Sequence, residues 1–336
     1  MGNKNNKEIT ELSYHQVGST WIIDSTYLFL IFPVAIIGTL LNILCLYIIS
    51  QKIDKNKHNI THYGFLKVYF LNSIFVCSIG FYAFSYSPRF IGIMIDYFSK
   101  FFRCYLTSFL AVTIDYHCNV INIIILFGRL SIFIKKLKVF KNLNPLVITI
   151  LTFFLCTSIN LPSLFRYQIN NDFDPRTSSN RTNQTICMPW FLHSNYITLS
   201  FTLFFRDLVT LAFELVGTII SCMYFRKFYI NKKKVLFESS VHPKSDFNEK
   251  KLSNKEDERH LILFTFILTT ISLACHVSLC LTWVFLIKYS DHRLVGDYSV
   301  AFVCCLLMVK YSANFFILYY FDKNFKKGLH LLIKKN

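Results

Sequence analysis

Residues 104–129 read CYLTSFLAVTIDYHCNVINIIILFGR, from Cys104 to Arg129. The stretch is apolar over most of its length, with a cysteine at its start and an arginine at its end. A helix rises ~1.5 Å per residue, so a helix of this length covers roughly 37 Å, enough to connect the two headgroup regions of a bilayer. The stretch therefore predicts a membrane-spanning helix.

The composition of the whole chain also indicates a membrane protein. Of its 336 residues, 53% are hydrophobic and 17% are aromatic, and the mean hydropathy is +0.41. A soluble domain of this size could not bury that much apolar surface. The net charge of +17 suggests that the chain contacts either a nucleic acid or an anionic surface. Because the basic residues fall between long apolar runs, a cytoplasmic membrane face is favoured and no nucleic-acid partner is expected.

Seven apolar runs follow one another along the chain. Each is at least about 20 residues long, the length that crosses a hydrocarbon core of ~30 Å. One such run could be a buried helix of a soluble protein, whereas seven in succession are typical of a membrane bundle. The predicted fold is an all-α seven-transmembrane helix bundle, followed by a short amphipathic helix. The predicted spans are residues 25–50, 68–87, 101–127, 143–165, 196–225, 261–287 and 298–321.

Basic residues in the loops predict the orientation of the chain. Lys and Arg concentrate after the first, third, fifth and seventh runs, most of all in residues 226–259. Cytoplasmic loops carry such an excess. We therefore expect an extracellular N-terminus at residues 1–24, the bundle at 25–321, and a cytoplasmic amphipathic helix and tail at 322–336.

Glycosylation sequons and cysteines fit the predicted extracellular side. Asn180 and Asn183 each begin an Asn-x-Thr sequon, and both fall in a loop that the charge pattern places outside. Nine of the 11 cysteines lie in or beside apolar runs, where cysteine packs as a small apolar residue. Cys104 and Cys187 are the two at the oxidising face, and we expect them to form a disulfide.

Several residues at characteristic positions resemble those of one receptor family. Gly38 and Asn42 lie four apart in the first run, Arg129 ends the third, Asn314 lies near the end of the seventh, and Phe325 follows it. Together with the cysteine pair, these residues resemble the rhodopsin-like (class A) family of G-protein-coupled receptors over nearly the whole chain. The resemblance is to a divergent branch, similar to invertebrate peptide-receptor-like or orphan lineages. It implies that Arg129 and Asn314 act in G-protein coupling and activation.

The chain also departs from the family's pattern. Gly128 precedes Arg129 where the family has Asp or Glu, and Asn72 stands where its second helix carries aspartate. Aligning Glu258 with the family's sixth-helix glutamate puts His276 at the position of its switch tryptophan. Without an acidic neighbour, Arg129 has Glu258 as its remaining candidate partner, so the resemblance implies raised basal activity.

Ionisable residues inside the spans form the second set of candidate site residues. They are Asp115, Arg206, Asp207, Glu214 and Lys310. Such residues cost about 2.5–3.5 kcal/mol at the bilayer centre and normally face the bundle. We hypothesise that Lys310 pairs with Asp115 and replaces the sodium ion that the family binds nearby; alternatively, each snorkels or pairs elsewhere. The predicted intramembrane polar network comprises Asn42, Asn72, Asp115, His276 and Lys310.

The resemblance also bears on the ligand. Ala111 stands where amine receptors carry aspartate, and Met308 stands where opsins carry the retinal-binding lysine. Both differences argue against those ligand classes, and the long loop at residues 166–195 suits a peptide or another large ligand. No cofactor or metal is expected.

The resemblance implies a plasma-membrane receptor that passes an extracellular signal to a heterotrimeric G protein, with membrane lipids as its surroundings. A seven-helix channel or transporter-like protein is the alternative, although no Gly/Pro-broken helix pair or duplicated half supports it. A non-signalling homologue also remains open. An enzyme is not expected, because the chain contains neither Gly-x-Ser-x-Gly nor His-Glu-x-x-His.

Overall fold

The structure of the chain is a computed structural model. The described residues are 27–53, 60–80, 105, 109–131, 134–164, 167–170, 186–189, 203–241, 263, 266–267, 269–278, 280–281 and 293–334.

The first two helices form an antiparallel pair near the N-terminus. Helix α1, Phe32–Ile48, is flanked by π-helical turns at Tyr27–Ile31 and Ile49–Ile53. Helix α2 covers Ile60–Gly80 and begins eight residues before the predicted start at 68. The earlier start follows from packing, because the apolar side chains of its first turns are buried against the bundle.

The central pair of helices is α3, Val112–Leu130, and α4, Pro145–Leu164. A 3-10 helix at Lys135–Asn142 connects them. Asn144 caps α4, since its Oδ1 accepts a hydrogen bond from the backbone N–H of Leu146 at 3.0 Å. Proline at the first helical position suits this end, because its missing N–H would have no helical partner there.

Two short strands follow α4. Strand β1, Tyr167–Asn170, pairs antiparallel with β2, Ile186–Pro189, and Ile169 lies opposite Cys187. These strands were not predicted from the sequence, because four residues carry too little pattern to distinguish a strand from a loop.

The remaining helices complete the bundle. A π-helical turn at Leu203–Leu208 leads into α5, Val209–Val241. Helix α6 is described at residues 269–278, and α7 covers Arg293–Phe321. Helix α8, Lys323–Ile333, follows after a single residue. The short helix predicted after the last span is therefore present.

Together, helices α2 and α3 contact most of the other described helices. Helix α1 packs against α2 and α7, α2 packs also against α3 and α4, and α3 contacts α4 and α5. Helix α1 lies close to both neighbours at Gly38, where a Cβ would lie 2.5 Å from Ser312 Oγ on α7 and 3.0 Å from Cys77 Sγ on α2. A larger residue at Gly38 would require these side chains or their helices to shift.

Within the described residues, five helices are long and apolar enough to cross a membrane, as expected for a multi-pass membrane protein with a helical fold. Helix α2 contributes a shorter apolar segment at Tyr63–Ile79, and the predicted sixth span is described only in part, with residues 282–287 and several positions before 280 outside the described residues. The five ranges are Phe29–Gln51, Phe109–Gly128, Pro145–Pro162, Phe205–Tyr224 and Cys304–Phe321.

The distribution of polar and apolar side chains is that of a protein in lipid. On α4, Leu146 is 68% exposed and Phe154 is 66% exposed, whereas Glu214 is 0% and Lys310 is 2% exposed. Lipid can cover the apolar surface, and charged side chains avoid lipid by facing the bundle interior. The interior is therefore where the candidate site lies.

Candidate functional site

Lys310 of α7 reaches across the bundle interior to α3. Its Nζ donates a hydrogen bond to Oδ1 of Asn119 at 2.5 Å, and it also lies 5.1 Å from the centroid of the Tyr311 ring. A buried ammonium needs polar contacts to offset its lost hydration. The amide of Asn119 provides one of them.

Asn119 also contacts His276 of α6, and His276 in turn contacts Glu214 of α5. Nδ2 of Asn119 lies 3.0 Å from Nε2 of His276, and Nδ1 of His276 lies 3.0 Å from Oε2 of Glu214. Ser272, one turn before His276 on α6, donates its hydroxyl to Oε1 of Glu214 at 2.8 Å. We call these five residues the polar chain: Lys310, Asn119, His276, Glu214 and Ser272.

The hydrogen bonds of the polar chain run in one direction. Oδ1 of Asn119 accepts from the ammonium of Lys310, so Nδ2 of Asn119 is left as the donor towards His276. Nε2 of His276 must then accept, and its Nδ1 carries the proton that it donates to Glu214. The polar chain thus leads from an ammonium to a carboxylate through a neutral imidazole.

Asp115 lies outside the polar chain. It accepts a short hydrogen bond from the Tyr311 hydroxyl, and no ion pair between described residues joins it to Lys310. The hypothesised direct pair is therefore not formed in this arrangement, in which the ammonium hydrogen-bonds to Asn119. Asp115 and Asn119 are four residues apart and share one face of α3, so the two acceptors differ by one helical turn.

Asn72 belongs to a different contact. Its Nδ2 lies 2.8 Å from Nδ1 of His117 on α3, and Nε2 of His117 lies 3.1 Å from the hydroxyl of Thr152 on α4. Asn72 and His117 together therefore join α2, α3 and α4, and the described hydrogen bond of Asn72 does not reach the polar chain. Asn72 and Lys310 were predicted as members of one intramembrane polar network.

Asn42 and Asn314 meet at one backbone carbonyl of α7. Nδ2 of Asn42 donates to the carbonyl of Gly38 at 2.7 Å and to that of Tyr311 at 3.1 Å. Nδ2 of Asn314 donates to the same Tyr311 carbonyl at 3.0 Å. Asn42 thereby ties α1 to α7 at Tyr311, the residue whose hydroxyl contacts Asp115.

Arg206 and Asp207 neutralise each other at the start of α5. The guanidinium donates from Nε and Nη2 to the two carboxylate oxygens, both at 2.8 Å. Such a two-bond arrangement is the strongest form of the Arg–carboxylate contact. Because both side chains are buried, this pair adds no net charge to the interior.

Several predicted site residues lie outside what the structure describes. Arg129 is within α3, but its side chain is not described, and the same holds for Cys187 in β2. The coupling role of Arg129 and the disulfide thus remain predictions. The other predicted residues outside the described part of the chain are Cys104, Asn180, Asn183 and Glu258.

The polar chain contains two residues, Asn119 and Ser272, that were not predicted from the sequence. Asn119 follows Asp115 by four residues, and Ser272 precedes His276 by four. That spacing puts each on the same helix face as a residue already suspected. It could have identified both as members of the network.

The comparisons and the metal-binding potential add no further assignment. No protein-family model matches the chain, and no curated protein matches it significantly. Within the described ranges, no group of three or more His, Cys, Asp or Glu side chains could hold a metal ion.

Proposed function

We propose that this chain is a plasma-membrane receptor of the rhodopsin-like type with seven spans. It transmits the binding of an extracellular ligand, with a peptide favoured, to a heterotrimeric G protein. Its N-terminus is extracellular, and its cytoplasmic face includes Arg129, Glu258 and α8. The sequence motifs support this assignment together with the multi-pass helical fold.

The observation that carries the proposal is the polar chain. Four hydrogen bonds connect α7, α3, α6 and α5 in the bundle interior. A receptor needs an element with two arrangements that both ligand and effector can bias. Buried hydrogen bonds suit this role, because they are either made or broken and each broken bond leaves a costly unpaired group.

In the proposed mechanism, a ligand in the outer half of the bundle alters the position of α6 or α7 and breaks the polar chain. Movement of α6 then opens the cytoplasmic face to the G protein. Arg129 has Gly128 before it instead of an acidic residue, so the inactive state is held chiefly through the bundle interior. Basal signalling is expected without ligand.

The test is co-expression of the full chain with a panel of G-protein sensors, with basal activity scored first. Asn119→Leu removes both contacts of the central amide and is expected to change basal signalling at equal surface expression. Ser158→Ala is the matched control, because the Ser158 hydroxyl bonds only within α4 in the described contacts. Silence of every sensor, for the native chain and for both variants, would refute coupling and favour a non-signalling or transporter-like role.

A further inference from the structure

The formal charges of Asp115 and of the polar chain do not balance. Two carboxyl groups, Asp115 and Glu214, lie with one ammonium, Lys310, and the directions of the hydrogen bonds leave no cationic charge on His276, so one formal negative charge has no counterpart within this described group. A low-dielectric interior disfavours an unbalanced charge. Uptake of one proton would make the group neutral, and histidine is the side chain whose charge ordinarily changes between about pH 5 and 8.

Protonation of His276 is incompatible with the present hydrogen bonds. A protonated imidazole carries N–H on both nitrogens, so Nε2 would point a hydrogen at the amide hydrogens of Asn119. The amide would have to turn over and offer Oδ1 to His276. Its Nδ2 would then face the ammonium of Lys310, and Lys310 would lose its acceptor.

A second acceptor for Lys310 lies one turn away. Asp115 is on the same face of α3 as Asn119, and it already contacts α7 through the hydroxyl of Tyr311. The lysine side chain is a flexible four-carbon stem, which can redirect its ammonium over one helical turn. The new arrangement would contain two ion pairs, Lys310 with Asp115 and His276 with Glu214.

Other titratable groups packed around these residues do not offer the same exchange. On α3, Cys118 donates to the carbonyl of Tyr69, and on α6, Cys275 donates to the carbonyl of Leu306. The Arg206–Asp207 pair, in the turn that leads into α5, is already neutral. Among the described residues, the carboxylates, the ammonium and the imidazole are thus the groups whose charges are left to rearrange.

We infer that His276 is a proton-binding site that operates a two-position switch, in which protonation moves Lys310 from Asn119 to Asp115. One proton separates the two states, so the ratio of their populations changes at most tenfold per pH unit. The switch itself depends only on the contacts of the polar chain and on the position of Asp115. Its consequence for signalling, an acid-dependent shift in activity, rests on the proposed receptor function.

The experiment is magic-angle-spinning NMR of the full chain in lipid nanodiscs, with 15N-labelled lysine and 13C-labelled Asp and Asn. At about pH 8 we expect a cross-peak from Lys310 Nζ to the Asn119 side-chain carbonyl, and at about pH 5 a cross-peak to the Asp115 carboxylate instead. Unchanged cross-peaks between the two pH values would overturn the inference. Both spectra are recorded on the native chain, so this comparison does not depend on whether a variant folds.

Two variants identify the group that titrates. In His276→Gln, the amide can accept from Asn119 and donate to Glu214 without titrating, so Lys310 should stay on Asn119 at both pH values. His117→Gln is the matched control, since His117 is a buried histidine in the separate contact with Asn72, and it should switch as the native chain does. Switching that survives His276→Gln, or is lost in His117→Gln, would overturn the assignment.

The NMR result and the signalling result separate the two proposals. If the cross-peak moves while every G-protein sensor stays silent, the switch stands and the receptor proposal fails. If the sensors respond while the cross-peak stays in place, the receptor proposal stands and the switch fails.

Discussion

Replacing Glu214 by alanine removes the acceptor at the end of the polar chain. Glu214 is fully buried and accepts from Ser272 at 2.8 Å and from His276 at 3.0 Å. Hydrogen bonds to a charged group contribute about 1.5–3 kcal/mol each in proteins. Interhelical hydrogen bonds in membranes average only ~0.6 kcal/mol, because the reference state in the membrane also finds partners.

These magnitudes give a lower and an upper limit for the free energy of unfolding that Glu214→Ala is expected to lose. The membrane average for two bonds gives ~1 kcal/mol, and the full loss of a buried charged partner gives about 3–5 kcal/mol. Since alanine leaves two buried donors without an acceptor, we expect Glu214→Ala to lower the free energy of unfolding by about 3 kcal/mol. Glu214→Gln should lower it less, because its side-chain carbonyl still accepts from Ser272.

The assay is reversible unfolding in mixed micelles, followed by circular dichroism. Thr218→Ala is the matched control: it lies one turn along α5, and its hydroxyl bonds to the carbonyl of Glu214 within the same helix at 2.7 Å. We expect a loss below about 0.5 kcal/mol there, since the bond joins no second helix. Equal losses in Glu214→Ala and Thr218→Ala would refute the view that the polar chain holds the bundle together.

Three further changes test separate contacts. Gly38→Ala should destabilise the bundle by about 1–3 kcal/mol through the close approach to Ser312, and adding Ser312→Ala should restore much of this loss in the same unfolding assay; no recovery would contradict the contact. Asp322→Ala should lower the stability of α8 by about 1 kcal/mol, because Asp322 Oδ1 accepts a hydrogen bond from the backbone N–H of Phe325 at 3.0 Å at the start of that helix. Faster hydrogen exchange at the Phe325 amide would show the loss of this bond, and unchanged exchange would contradict the assignment of Asp322 as the helix cap. Gly128→Asp should lower basal signalling, since an added Cβ meets nothing within 4 Å and the carboxylate can pair with the following arginine; unaltered basal signalling would exclude that explanation.

The helical membrane fold could be predicted because its evidence is local. The length and hydropathy of a continuous run determine whether a segment can cross a bilayer, and five of the predicted runs correspond to helices that meet this standard. The first and last residues of the helices were less predictable from the sequence. Helix α2 starts at Ile60 because burial of its apolar side chains, and not hydropathy alone, fixes the first turn.

The candidate site was only partly predictable. Lys310, His276 and Asp115 were recognisable because polar residues are costly in a membrane span. Their partners were not, since a hydrogen bond between two helices depends on the rotation and depth of each. Asn72 illustrates this point, because its contact is with His117 at 2.8 Å and not with Lys310.

By itself, the sequence determined that the chain is a helical, multi-pass membrane protein with ionisable residues in its interior. The tertiary structure alone decided that Lys310 lies on Asn119 and not on Asp115. The two acceptors lie on one face of α3 and are separated by one turn, ~5.4 Å. No local pattern fixes the relative depth of α3 and α7 to better than that distance. Only the packing of the whole bundle fixes it, and that choice leaves Asp115 within reach as a second position for the same ammonium.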